Sequence, residues 1–134
     1  MQDSIFTKIV KGEIPAHKLY EDDLVLAFLD IHPVQPGHTL VIPKRQVEFV
    51  WDLPDADYIA VMGTAKKLAL VLREVLGVHY VGELVMGVDV PHAHVQLIPF
   101  NTVNEFRAPQ DMESDPDHPA LATMAERLRV RDNE

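Results

Sequence analysis

The segment PHAHVQLIP, residues 91–99, places three polar side chains at every second position: His92, His94 and Gln96. Residues two apart in a β-strand point to the same face, so a strand here would align the three side chains in a row. The residues between them are apolar, as in a half-buried strand. Because burying two imidazoles and an amide without partners is costly, the row must meet water, a ligand or a polar network.

Four interpretations fit this row of side chains. It could be a packed or solvated feature with no chemical role. It could give two imidazoles to a metal ion, with His38 or Asp89 as a further ligand, although glutamine is a poor ligand. It could hold one nucleophilic imidazole beside donors that stabilise developing negative charge, which suits phosphoryl chemistry. The same donors could also bind a nucleotide without turnover.

The amino-acid composition excludes several classes of protein. The chain has 134 residues, 47% of them apolar, which fits one domain with a modest core. It contains no cysteine, which removes disulfides, thiolate zinc sites and cysteine nucleophiles. A net charge of −9 argues against a nucleic-acid partner. No apolar run is long enough for a membrane span and no secretory signal is present, so we expect a cytoplasmic protein with no membrane partner.

The row must be positioned by a sheet and a long helix. Apolar, β-branched stretches predict strands over 18–21, 24–31, 39–43, 79–86 and 92–100. An amphipathic helix is predicted over 52–77, with Asp52 or Asp55 as its cap and Gly77 at its end. Its predicted apolar stripe consists of Ile59, Met62, Ala65, Ala69, Leu72 and Leu76. This order predicts an α+β fold, a five-stranded antiparallel sheet with one long helix packed on it.

Short helices are predicted at both ends of the chain. Asp3 and Ser4 can cap a helix that runs through Lys11. Residues 101–119 are polar and contain prolines, which predicts a loop, and 120–130 form a short amphipathic helix. We expect a single domain over 1–134, with its core over about 3–100 and a C-terminal loop and helix extension over 101–134.

Three motifs together resemble one known family. HAHVQLI (92–98) resembles the His-φ-His-φ-His-φ-φ signature, where φ is apolar, of the histidine triad (HIT) superfamily of nucleotide hydrolases and transferases, with Gln96 in the third position. DSIFTKIVKGEIPA (3–16) resembles its N-terminal helix, and YEDDLVLAFLDIHPVQPGHTLVIPK (20–44) its central strands. The resemblance implies the HIT-like fold and a homodimer whose two sheets join.

The resemblance also implies roles for particular residues. His94 would attack the α-phosphate of a nucleotide, and water would release the nucleotide from the resulting nucleotidyl-histidine. His92 would orient His94, while Gln96 and His38 would contact phosphate oxygens. The expected substrate-binding residues are Phe6, Ile9, Phe28 and Ile31 around the base and ribose, and Asp30 at the ribose hydroxyls. Asp89 is also expected at the substrate, where relatives often carry a hydroxyl residue, although its anion beside a phosphate would be unfavourable unless it points away, is protonated or meets a bound cation. From the residues themselves, the four apolar side chains could equally be plain core, and Asp30 could cap a loop.

The chain departs from the family pattern at three places. Gln96 resembles the transferase and dinucleoside polyphosphate phosphorylase branches. MGVDVPHAH (86–94) replaces the usual asparagine and glycine-rich loop, and Gln46 in IPKRQ stands where relatives often carry histidine.

We predict a nucleotide hydrolase acting at the α-phosphate of a purine dinucleoside polyphosphate or nucleoside phosphoramidate. A phosphorylase or nucleotidyltransferase and a non-catalytic nucleotide-binding regulatory module are the alternatives. Because the cysteines of zinc-bearing relatives are missing, no structural zinc is expected, and no cofactor is expected either.

Overall fold

A computed structural model describes residues 2–130 of the chain. Along the sequence its elements are α1 (Ile5–Val10), β1 (Lys18–Glu21), β2 (Val25–Leu29), β3 (Thr39–Pro43), α2 (Asp55–Leu76), β4 (Tyr80–Leu84), β5 (Val95–Phe100), α3 (Val103–Phe106) and α4 (His118–Leu128). The strands form one sheet in the order β1-β2-β3-β5-β4, and every neighbouring pair is antiparallel. The predicted α+β fold with a five-stranded antiparallel sheet is confirmed.

The two faces of the sheet bury different side chains because successive residues of a strand alternate in direction. In β2, Val25, Ala27 and Leu29 face the larger cluster with α2 and α4. Leu26 and Phe28 point to the opposite face, where they pack with Phe6 and Ile9 of α1. In β5, Val95 and Leu97 belong to the α2 side. Gln96, which alternates with them, therefore lies on the α1 side of the sheet.

The long helix α2 differs from the prediction in its start and its buried face. Residues 50–52 form a separate 3-10 turn, and α2 begins after Pro54 without a side-chain cap. The prediction that Asp52 or Asp55 caps this helix was therefore wrong. Proline disfavours helical backbone at the residue before it, which separates the two segments at Leu53. Ile59 is 69% exposed, because the buried face follows Val61, Ala65, Leu68 and Leu72. Gly77 ends the helix in the left-handed conformation, as predicted.

Strand β5 begins at Val95, three residues later than predicted, so His92 and His94 precede the strand. Its partner β3 ends at Pro43, which has no N–H to continue the ladder. The Ala93 N–H instead donates to Val47 O at 2.7 Å, outside the sheet. Only Gln96 of the polar row therefore occupies a regular strand position.

The C-terminal helices α3 and α4 pack against the sheet and the long helix. The prediction of a loop over 101–119 was wrong at its start, because a capping box formed by Thr102 and Glu105 begins the short helix α3 there. Helix α4 begins at His118, two residues earlier than predicted. Leu121, Ala125 and Leu128 of α4 are buried in the cluster shared with α2. No helix within residues 2–130 has the length and apolar character needed to span a membrane. The predicted division of 1–134 into core and extension stays a prediction, and positions 131–134 of its last segment lie outside the described residues.

Candidate active site

A cavity of about 490 Å³ lies between α1 and the α1-facing side of the sheet. Phe6, Ile9, Phe28 and Leu40 form its apolar walls. Its volume is within the range typical of pockets that bind small molecules. Eight residues named from the sequence line this cavity: Phe6, Ile9, Phe28, Asp30, Ile31, Asp89, His94 and Gln96. Phe6, Ile9 and Phe28 are also buried in the core, so for these residues the core and pocket interpretations describe the same surface.

His94 presents a free ring nitrogen at the cavity. Its Nδ1 lies 2.8 Å from the backbone carbonyl of His92. Since a carbonyl only accepts, Nδ1 must carry the proton, and the neutral ring keeps the lone pair on Nε2. Phe6 packs its ring nearly perpendicular to the imidazole, with the centroids 5.2 Å apart. The ring is therefore held in the tautomer and orientation of a potential nucleophile.

The His92 side chain lies behind the cavity and is completely buried. Its Nε2–H donates to Pro43 O at 2.7 Å, so Nδ1 accepts from the Ser4 hydroxyl at 2.8 Å. Burial lowers the pKa of His92, although the bond to Pro43 opposes this effect and His94 adds to it. We therefore expect a neutral ring. His92 orients His94 through its backbone carbonyl, whereas its imidazole joins the sheet to α1.

A buried polar network fixes α1 to this imidazole. The Ser4 side chain caps α1 by accepting from Thr7 N at 3.0 Å. Gln46 Oε1 accepts from Ser4 N at 2.9 Å and from the Thr7 hydroxyl at 2.6 Å. The sequence showed Ser4 as a cap and Gln46 as a departure, but no local signal connects either residue with His92. Through this network, helix α1, which forms one wall of the cavity, and the buried His92 imidazole, called the His92 anchor below, are held together as one unit.

His38 is buried one layer behind Gln96 and does not line the cavity. Val34 N donates to its Nδ1 at 3.0 Å, so Nε2 carries the proton and donates to Gln96 Oε1 at 2.9 Å. Burial lowers the pKa of His38, and Asp30 and Gln96 counteract part of that shift. Because the Gln96 oxygen is occupied, its amide N–H groups remain to donate elsewhere. The His38 imidazole therefore orients the Gln96 amide, and the direct phosphate contact that the resemblance implied for His38 stays a prediction.

Asp30 lies directly after β2, at the edge of the cavity. One carboxylate oxygen accepts from His32 N at 2.8 Å, which is the loop-capping role considered from the sequence. The other accepts from Gln110 Nε2 at 3.1 Å. Gln110 and Met112, from the segment between α3 and α4, also line the cavity. These two residues were not predicted, because nothing local in the sequence of a polar loop indicates which surface the loop will cover.

The structure gives no support to the metal-site interpretation of the His-x-His segment. No group of three or more histidine, aspartate or glutamate side chains in residues 2–130 is arranged to hold a metal ion.

Fold and site together define a class: α+β proteins in which an imidazole with a free Nε2 and a glutamine amide face an apolar cavity beside a carboxylate. Comparison with known proteins identifies the family. The HIT domain model matches residues 11–103. The chain belongs to the HIT family.

Individual relatives agree with this assignment. An uncharacterized HIT-like protein of Borreliella burgdorferi is 42% identical over 106 residues, which cover 74% of this chain and 76% of the relative. A Saccharomyces cerevisiae protein named adenosine 5′-monophosphoramidase is 40% identical over 96 residues, 71% of this chain and 61% of the yeast protein. The crystal structure of a HIT-like protein from Bartonella henselae, 29% identical, superposes with a TM-score of 0.80 over 95% of both chains.

Proposed function

We propose that the protein is a nucleotide hydrolase that cleaves the bond between the α-phosphorus of a nucleoside 5′-phosphate derivative and its leaving group. One observation carries this proposal: His94 lines a cavity of nucleoside size, and its Nε2 keeps a lone pair that accepts no hydrogen bond from residues 2–130. Gln96, whose amide N–H groups are free to donate, lies in the same wall. An attacking nitrogen beside a neutral donor suits displacement at phosphorus, where positioning and charge stabilisation dominate catalysis.

The reaction would proceed in two displacements. In the first, His94 Nε2 forms a bond to the α-phosphorus, the bond to the leaving group breaks, and the leaving group takes up a proton from solvent; the water that attacks in the second step returns a proton to solvent. Donation from Gln96 would stabilise the charge on the non-bridging oxygens, and His38 keeps that amide oriented. In the second, water attacks the nucleotidyl-histidine, releases the nucleoside 5′-monophosphate and restores the imidazole. The carbonyl of His92 favours the imidazolium during the first step, because it accepts the Nδ1 proton.

A nucleoside phosphoramidate is the substrate class that the comparisons favour, because the yeast relative is named adenosine 5′-monophosphoramidase. Dinucleoside polyphosphates present the same α-phosphorus and remain part of the proposal. The walls formed by Phe6, Ile9 and Phe28 suit the flat apolar face of a purine base. Asp30, which also lines the cavity, would accept hydrogen bonds from the ribose hydroxyls.

The test is turnover of adenosine 5′-phosphoramidate, followed by phosphorus NMR, with acid-sparing mass spectrometry of the enzyme. We expect release of AMP and one nucleotide attached to His94. His94→Ala should lower kcat by at least about a thousandfold, whereas His79→Ala, an exposed histidine outside the cavity, should leave it unchanged. A His94→Ala variant as fast as the wild type refutes the proposal.

A second candidate, phosphorolysis or nucleotidyl transfer, rests on Gln96 in the third position of the motif. Product identity separates the two reactions. Nucleoside diphosphate formed from a dinucleoside polyphosphate only when inorganic phosphate is present would favour phosphorolysis. Tight nucleotide binding without turnover on any of these substrates would favour a regulatory binding module, for which the unusual 86–91 loop is the motivation.

We also propose a homodimer. Strand β4 lies at one edge of the sheet, where its outer N–H and C=O groups need a partner, and Tyr80 on it is half exposed. Light scattering should give about twice the chain mass of 15.1 kDa. A monomer mass at micromolar concentration would contradict this part of the proposal.

A further inference from the structure

The segment between α3 and α4 contributes a side chain to the cavity whose hydrogen bonds are only half used. Gln110 Nε2 donates to Asp30 Oδ2 at 3.1 Å and to His32 O at 2.8 Å. These two bonds use both of its N–H groups. They also determine the orientation of the amide, since the carbonyl oxygen must lie on the opposite side. Gln110 Oε1 makes no hydrogen bond to residues 2–130, and its side chain lines the cavity.

We propose that Gln110 recognises the sugar of the substrate together with Asp30, so that the C-terminal segment selects ribonucleotides over deoxyribonucleotides. This inference rests on the proposed function of the same cavity. A ribose carries two adjacent hydroxyls, each of which needs an acceptor when it is removed from water. Asp30 already accepts from His32 N and from Gln110, so its remaining acceptor capacity is limited. The unpartnered Oε1 supplies a second acceptor next to the carboxylate.

The segment that carries Gln110 is held in place before any ligand binds. The capping box of Thr102 and Glu105 fixes the turn that precedes the segment. The two bonds of Gln110 Nε2 then tie the segment itself to Asp30 and His32. An acceptor held in advance loses little conformational freedom on binding, which favours its use in recognition. Gln35 provides a matched control, because its amide donates to Glu105 O of α3 at 3.0 Å, ahead of the segment, and does not line the cavity.

The experiment measures binding of AMP and of 2′,3′-dideoxy-AMP by calorimetry to the wild-type protein, Gln110→Ala and Gln35→Ala. Neither ligand has a leaving group, so turnover does not interfere. The wild type should bind AMP more tightly than the dideoxy compound. Gln110→Ala should weaken AMP binding about threefold to tenfold, the effect of one hydrogen bond, and leave the dideoxy compound unchanged. Gln35→Ala should keep the wild-type ratio of the two dissociation constants.

Three results would overturn the assignment. An unchanged ratio in Gln110→Ala, whether both ligands weaken equally or neither does, would show that Gln110 only packs against the site. Tighter AMP binding in Gln110→Ala would show that the amide blocks Asp30. In both cases the proposed nucleotide site itself stands. A wild-type protein that binds neither compound would remove the proposed function and this inference with it.

Discussion

Ser4→Ala tests whether α1 and the His92 anchor form one unit. The substitution removes the cap of α1, worth about 1 kcal/mol. It also leaves the buried His92 Nδ1 without its donor, which costs about 1–3 kcal/mol. Thr7 lies 3.3 Å from the same nitrogen but donates to Gln46, so it compensates little. We expect a loss of about 2–4 kcal/mol in the free energy of unfolding, and a Tm lower by about 6–20 °C for a chain of this size.

Urea and thermal denaturation at pH 7.5 measure both quantities. Ser114→Ala is the matched control, because this exposed serine has its hydroxyl bonded only to a loop carbonyl and should change stability by less than about 0.5 kcal/mol. If Ser4→Ala costs no more than the control, the serine contributes neither as a cap nor as a partner of the buried imidazole, and the reasoning about the network is wrong.

Two further predictions concern charge. Burial lowers the pKa of His38 and His92 from the ordinary value of 6.5, so as the pH falls these imidazoles take up protons in the unfolded chain before they do so in the folded chain. Their contribution to the free energy of unfolding should be complete above about pH 6.5. It should be lost as the pH drops through the folded pKa values, by at most about 1.4 kcal/mol per pH unit for each imidazole. Urea midpoints between pH 7.5 and 5 measure this decline, and a flat profile contradicts it. Asp89→Asn should tighten AMP binding about twofold to tenfold in calorimetry, because the exposed Asp89 carboxylate at the cavity would repel the phosphate of AMP, a repulsion that salt screens. Equal affinities of the variant and the wild type at low salt would mean that this carboxylate lies away from the phosphate.

The sequence predicted the sheet and the long helix correctly because these depend on local pattern, whereas the residues expected around the substrate came from the family resemblance. A continuous apolar run defined β2, and His94 with Gln96 carried the family signature. The predictions failed where a backbone partner was required. His94 was placed in a strand, yet its segment leaves the sheet because Pro43 ends the neighbouring strand. Ile59 was assigned to the buried face of α2, although the rotation of a helix about its axis is decided by what packs against it.

The sequence by itself determined the fold class and the side chains available for chemistry, since spacing and residue type are properties of the chain. The tertiary structure decided what each polar atom does. Ser4 and His92 are 88 residues apart, Asp30 and Gln110 80, and His38 and Gln96 58, yet each pair is hydrogen bonded. Tautomers, amide orientations and the pKa values of buried imidazoles depend on such contacts over about 3 Å, and only the folded chain brings these atoms together.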